Sequence, residues 1–261
     1  MSKAIYKIAG HIISFKGETA GLKKFCQGYE ADIAERGSVT ELEISQEDIE
    51  YERAKQNAER HQMGIQGAEQ SCLYPDHYLE SLAALRKLGE WFPMEDVVLF
   101  HGAAVSISDG DGRTGYIFMA PSGTGKTTHI QLWEKYLGSD IEVINGDKPF
   151  IALEDGNFWI YGSPWAGKEK MHSNTKALLG GICFIQRSSE NHAERIRGDM
   201  ALEPLMKQMY IPRGKAAAGK ALEVAEAILE SIPIYCLYCN MSEEAVRRSY
   251  EALTGRRYEG L

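Results

Sequence analysis

The sequence predicts an α/β fold built on a mixed sheet with a phosphate-loop-type turn, plus a smaller N-terminal α+β lobe. Three observations carry this. The apolar run Tyr116–Met119 passes straight into APSGTGKTT at Ala120–Thr128 and then into a segment of helical periodicity. From Val97 onward, strand-length apolar runs are separated by Asp- and Gly-rich turns. The last sixty residues alternate between helical and strand patterns. With 261 residues, 44% of them hydrophobic, the chain can bury a full core. The expected division is a lobe over 1–75, possible to integrate with the core, and a core over 76–261.

Taken in order, residues 4–15 read as a strand and Val39–Ile44 as another. Ser45 caps a polar helix running to about Arg60, with Glu47 and Asp48 in its first turn and its charge on a solvated face. HQMGIQGAEQS reads as a loop, and 45–75 suits either a partner contact or a substrate lid. Asp76 opens a better-patterned helix with Tyr78, Leu82, Leu85 and Phe92 on one face, ended by Pro93. Ala103–Ser108 and Gly115–Met119 form a hairpin around DGDG. After the APSGTGKTT turn, Ile130, Trp133 and Leu137 share a helix face, and Gly138 stops it. Ile141–Ile144 is a short strand, Phe150–Leu153 and Phe158–Tyr161 a second hairpin, and Gly181–Gln186 a further strand. Helices at about 200–210 and 216–231, a strand at 234–239 and a helix at 243–253 capped by Asn240 complete the chain.

Composition excludes several classes. A net charge of −8 without a basic run argues against nucleic acid. The N-terminus lacks the apolar core of a signal peptide, and no apolar run is long enough to span a bilayer, so a cytoplasmic protein without a membrane partner is expected. The five cysteines, Cys26, Cys72, Cys183, Cys236 and Cys239, do not form a disulfide framework. Cys236 and Cys239 sit in an alternating strand with no second ligand pair, so they read as small strand residues rather than a zinc site.

The chemistry concentrates at 97–169. Gly123 and Gly125 let the backbone approach an anion, and the N–H groups from Ser122 through Thr128, with Thr124 between the glycines, form its cradle. Lys126 adds a movable positive charge and the Thr127 hydroxyl can ligate Mg²⁺. Ala120 stands where the usual phosphate-loop consensus has its first glycine. With Ser108 opposite Gly115, antiparallel counting sets His101 and Gly102 against Pro121 and Ser122, beside the terminal phosphates. His101 is then either an active-site histidine or a hydrogen-bonded structural one. Asp147, in VINGDKPF, follows a strand that would end at the same sheet edge, where it can bind Mg²⁺ or accept a proton; the alternative is a turn residue before Pro149. The second hairpin lays Gly162–Gly167 alongside Asn145–Pro149. Trp165 then stacks on a base or substrate, or closes the core, and Lys168 and Glu169 face the site or solvent.

In their order and spacing, His101-Gly102, APSGTGKTT and Asn145–Lys148 resemble the HPr kinase/phosphorylase and ATP-dependent phosphoenolpyruvate carboxykinase superfamily. FHGAAV, APSGTGKTTH, INGDKPF and YGSPWAGKE are similar to small HPr-kinase-like proteins over most of the chain. The resemblance implies Lys126 on the β- and γ-phosphates, Thr127 and Glu169 near Mg²⁺, Asp147 as acid/base, and His101 as the active-site histidine. It implies ATP and Mg²⁺ as the bound groups and homo-oligomers as the assembled form. Lys148 stands where that family usually carries a second acid, which removes the basis for a second metal contact and for the reverse reaction. There is no HPr-binding signature and no clear Mn²⁺ ligand set, so neither HPr phosphorylation nor decarboxylation is expected. The expected function is ATP-dependent phosphorylation of a hydroxyl on a peptide, a protein or a small molecule. A nucleotide-binding switch or assembly factor with little phosphotransfer is the alternative, and a nucleotidyltransferase a third reading.

Overall fold

The structure, a computed structural model, describes residues 4–17, 20–31, 38–62, 74–110 and 112–259. The expected loop at 61–71 lies outside these residues from 63 onward, as do Cys72 and most of the proposed lid's second half. The chain divides into two compact units, Met1–Glu90 and Trp91–Leu261. That division falls one helix later than residue 75, so the helix opened by Asp76 belongs with the first unit.

In the first unit, β1 (Ile5–Ile8) and β2 (His11–Gly17) form an antiparallel hairpin where the sequence predicts one strand. Ala9 and Gly10 both take positive φ, 47° and 81°, the paired left-handed geometry that turns a chain through a two-residue loop. β3 (Val39–Ile44) adds parallel to β2. The short α1 (Ala20–Phe25) receives the buried Glu80 carboxylate on the amides of Gly21 and Leu22, at 3.3 and 3.2 Å. Glu80 lies on α3 (Asp76–Trp91). α2 (Gln46–Gln62) opens with a reciprocal cap: Asp48 N–H donates to Ser45 Oγ, and Ser45 N–H to Asp48 Oδ2. Its charge is not simply solvated. Arg86 of α3 bonds Asp48 at 2.9 Å and Glu52 at 2.6 Å, with all three side chains largely withdrawn from water.

The second unit is a nine-stranded mixed sheet with helices on both faces. Its strands are β4 (Val97–Leu99), β5 (Ala103–Asp109), β6 (Gly112–Met119), β7 (Ile141–Asn145), β8 (Phe150–Glu154), β9 (Asn157–Tyr161), β10 (Lys176–Arg187), β11 (His192–Ile196) and β12 (Ile234–Cys239). The order β4-β8-β9-β10-β6-β5-β7 is extended by β12, parallel to β10, and by β11, antiparallel to β12. The long β10 pairs β9 through Lys176–Leu178 and β12 through Ile182–Arg187. β6 over Gly115–Met119 and its parallel neighbour β10 over Gly181–Ile185 are apolar and buried on both faces, as the middle of a covered sheet requires.

One face is covered by α4 (Lys126–Leu137) and α7 (Glu243–Thr254), whose Ile130, Trp133, Ala245, Val246 and Leu253 pack on Phe118 and Cys183. The other is covered by α5 (Asp199–Gln208) and α6 (Lys215–Ser231), through Ala201, Leu205, Val224 and Ile228. The N-cap position of α7 is Ser242 rather than Asn240, and neither side chain caps the helix: the Ser242 hydroxyl donates to Asn240 Oδ1, and the Asn240 amide donates to the carbonyl of Ser189. Among the described residues no helix is long and apolar enough to cross a membrane.

Candidate active site

The site grows from three segments that reach one edge of the sheet. β6 ends at Met119, and residues 120–125 turn before α4 begins at Lys126. Gly123 and Gly125 hold φ of 75° and 124°, and a side chain built on either would meet nothing within 4 Å. Their glycine character therefore serves the left-handed backbone, with open space beyond the turn for a ligand. The turn closes with Thr124 N–H on Pro121 O at 3.2 Å, and α4 starts with His129 N–H on Gly125 O at 2.9 Å. Ser122 is exposed, while Thr124, Thr127 and Thr128 are half-buried.

Lys126 is folded inward. Only 7% of it is exposed, and its Nζ donates to Ala120 O at 2.8 Å, across the base of the turn. Burial pulls its ammonium down to about 8, against the attraction of Asp147 and with a small push from Lys148. Ala120 thus has a defined job: its carbonyl holds the lysine over the turn.

The second segment is the β5 entry. The β5–β6 hairpin is tighter than the sequence implies. Asp109 pairs Gly112 and Ser108 pairs Arg113, so the strands run on into what read as a four-residue turn. Continuing the register from Ala103 opposite Phe118 sets His101 against Ala120 instead of Ser122. A shift of two residues keeps every side chain on its expected face, and His101 still reaches the site.

The third segment follows β7. β7 pairs antiparallel with β5, and β5 antiparallel with β6, so β7 runs in the direction of β6 and delivers Asp147 to the same edge as the glycine turn. Asn145, fully buried, fixes that delivery. Its Oδ1 accepts the amides of Asp147 at 2.8 Å and Lys148 at 2.7 Å, and its Nδ2 donates to Ser163 O at 2.8 Å. Ser163 Oγ in turn donates to Lys148 O at 2.6 Å. Gly167 packs so close that an added Cβ would lie 3.1 Å from that of Asp147.

These segments bring His101 Nε2 to 3.3 Å from Asp147 Oδ1, with Lys148 Nζ 3.7 Å from the same oxygen. The backbone reinforces the pair: Gly102 N–H donates to Asp147 O at 3.0 Å, and His101 N–H to Gln208 O at 2.7 Å. Burial works to raise the Asp147 carboxyl, but the His101 hydrogen bond and the charges of Lys148, His101 and Lys126 outweigh it, so it stays below the ordinary carboxylate value. The Asp147 carboxylate and the buried Lys126 ammonium thus attract each other, while the Lys126 Nζ itself rests on Ala120 O.

The remaining sequence candidates fall elsewhere. Trp165 is 3% exposed, with its backbone N–H on Ser163 Oγ at 3.2 Å, so it is buried beneath the segment that supports Asp147. Lys168 and Glu169 lie exposed on the turn at 167–170. Among the described residues no three His, Cys, Asp or Glu side chains gather in a metal-holding group, so Glu169 does not join His101 and Asp147 in one. Cys26, Cys183, Cys236 and Cys239 are free and buried.

Two contributors went unnoticed in the sequence. Asn145 carries a readable signal, since Asn-Gly-Asp after a strand is a turn in which the Asn side chain caps the next amides. Arg187 carries none. Its guanidinium bonds the carbonyls of Gly123 and Thr124, at 3.1 Å for the latter, and the parallel register from Phe184 opposite Met119 brings it there across some sixty residues of chain. No protein-family model matches this chain, and no curated protein matches it at a significant level.

Proposed function

We propose that this chain is an ATP-dependent kinase that transfers the γ-phosphoryl group to a hydroxyl. The observation that carries the reading is the meeting, at one sheet edge, of a strand–glycine turn–helix start bearing a buried lysine with an ionised aspartate held by histidine. The likeness of FHGAAV, APSGTGKTTH and INGDKPF to HPr-kinase-like proteins supports it.

In the reaction, the amides of residues 122–128 bind the phosphate oxygens, and Lys126 swings from Ala120 O onto the β- and γ-phosphates. The acceptor oxygen bonds to the γ-phosphorus as the bond from that phosphorus to the bridging oxygen breaks, its electron pair staying on ADP. The acceptor's proton passes to the Asp147 carboxylate. Because Asp147 is a weak base, it orients the hydroxyl first and takes the proton as the new bond forms, which suits a loose transition state. His101 holds the carboxylate through Nε2 and Lys148 adds charge. The donor set fits Mg²⁺, which binds through one carboxylate plus phosphate oxygens and water: Thr127 and Asp147 would hold it, and it would supply charge neutralisation on the phosphates.

The test follows label from γ-labelled ATP with Mg²⁺ into protein, peptide and small-molecule fractions of a source-cell lysate. A labelled product with ADP released in equal amount is expected. Asp147→Asn should bind MgATP within a few-fold of the parent yet transfer about 10²–10⁴-fold more slowly. Full activity in that variant, or no calorimetric affinity for MgATP in the parent, overturns the reading. Nucleotide-dependent capture of a partner with no labelled product would make the chain a switch, and release of pyrophosphate a nucleotidyltransferase.

A further inference from the structure

A cavity of about 370 Å³ opens beside the start of the glycine turn, on the α5 side of the sheet. Its buried lining is apolar, with Met119, Phe184, Ile196 and Cys236, while Met200 stands 66% exposed beside them. The exposed polar residues that border it are Gln186, Glu194, Glu203 and Lys207, of which the last three are charged. Lys207 Nζ is already paired with Glu203 Oε1 at 2.6 Å, and Glu194 Oε1 accepts from Tyr238 at 3.3 Å. Two carboxylates against one paired ammonium leave the border net negative.

Gln208 joins this cavity to the chemistry. It lines the cavity, is 9% exposed, and its backbone carbonyl holds the His101 amide at 2.7 Å. Its Oε1 is buried without a hydrogen-bond partner. A buried amide oxygen of this kind is satisfied when a ligand brings a hydroxyl or N–H. Ala120 and Pro121, also in the lining, are the residues whose turn holds Lys126. The cavity therefore borders the lysine's anchor, and Gln208 ties it through one backbone hydrogen bond to His101 of the His101–Asp147 pair.

We infer that this cavity receives the phosphoryl acceptor, and that the acceptor is a small neutral or cationic alcohol with an apolar body. The inference rests on the kinase reading. Three observations select the acceptor over the nucleotide. The lining stops at Pro121 and includes none of Gly123–Thr128, the residues that face the triphosphate. The cavity lies on the sheet face opposite α4, whose first turn supplies the anion cradle. Its negative border repels polyphosphate and carboxylate ligands alike. The volume suits a metabolite-sized molecule.

Three probes with one benzyl body test it: phenylalaninol (cationic), 3-phenylpropan-1-ol (neutral) and 3-phenyllactate (anionic). Each is titrated into the full chain saturated with MgADP, followed by protein-observed NMR. The two alcohols should bind in the millimolar range, and phenyllactate about fivefold or more weakly. Met200→Trp, at an exposed position, should block the probes without disturbing the fold. Gln208→Leu should weaken both alcohols about tenfold. MgATP affinity should stay within about twofold in each variant. Displacement of the probes by adenosine would make the cavity a nucleoside site, tighter binding of phenyllactate would reverse the charge argument, and no binding up to about 20 mM would leave no small-molecule site. Binding of a seryl peptide but none of the alcohols would likewise overturn a small acceptor. Failure of the kinase reading is seen separately, as absent MgATP affinity in the same samples.

Discussion

His129 and His101 flank the same glycine turn, one inside a helix–helix contact and the other at the sheet edge. His129, in the first turn of α4, is 3% exposed, and its Nε2 lies 2.9 Å from Ser249 Oγ of α7. Ser249 Oγ donates to Val246 O and accepts from Trp133 Nε1, so its remaining lone pair makes His129 Nε2 the donor. Burial alone pushes this imidazole down to about 3, and it stays neutral. His101, with 28% of its side chain exposed, faces the Asp147 carboxylate. One imidazole is a strut that burial keeps neutral; the other sits partly open to solvent with a carboxylate for its partner. Residue type decides neither role. Burial and the chemistry of the partner decide both.

The sharpest way to break this contrast is at Lys126, where a site residue is as buried as the strut. Lys126→Met should lower transfer by about 10³-fold or more, because one aimed donor is lost at the phosphates. It should also make the fold more stable. The folded chain depresses this ammonium to about 8 from an unfolded value of 10.5, so the unfolded chain binds more protons between those limits. The parent's stability therefore rises with pH from about 8 to about 10.5, and at pH 7 it carries the whole penalty. The methionine variant should gain about 1–2 kcal/mol at pH 7, after its lost hydrogen bond is counted, and should lose that slope. Urea melts at pH 7 and pH 10 measure both. A less stable variant at pH 7 would mean that the lysine is not strained. Nucleotide binding answers the same strain, so above pH 8 MgATP should bind with proton uptake, read by calorimetry in two buffers of different ionisation heat.

A smaller effect is expected at His101. His101→Gln removes the hydrogen bond that helps hold Asp147 ionised, so the carboxyl should rise towards its ordinary value. The acid limb of the rate profile should move to higher pH and the plateau should fall by about 10–100-fold. A plateau loss without movement of the limb would assign His101 to substrate contact instead of to Asp147.

The sequence exposes one half of this site far better than the other. Lys126 and its glycines announce themselves because a strand, a turn and a helix start are contiguous in the chain, and local patterning reads contiguous things. His101 and Asp147 were reachable by counting register, and the count was wrong by two residues at DGDG because Asp109 and Gly112 remain paired. The error did no harm, since side chains repeat every two residues along a strand. β11, α1 and the split of β1 from β2 were not legible. The split turns on Ala9, a non-glycine residue at φ 47°, and short elements like α1 are held by a distant group, Glu80, rather than by their own propensity. Arg187 and Gln208 share that difficulty: each reaches the site through a strand or helix end chosen by sheet order, which no local pattern encodes.

The smallest effect, and the one that isolates the strut, is at Ser249. Ser249→Ala leaves His129 Nε2 and Trp133 Nε1 buried with no acceptor, which should cost about 1–3 kcal/mol and lower the melting midpoint by several degrees. Activity per folded molecule should not change, because neither side chain faces the open side of the turn. The pH dependence gives a second reading. With its folded value depressed to about 3 and its unfolded value near 6.5, His129 contributes stability that is intact above about pH 6.5 and is lost as the pH falls towards 3, by up to about 1.4 kcal/mol per unit. His129→Gln should flatten that acid slope while keeping a donor for Ser249. If it shifted the rate profile instead, the strut would be part of the catalytic electrostatics, and the contrast between the two histidines would not hold.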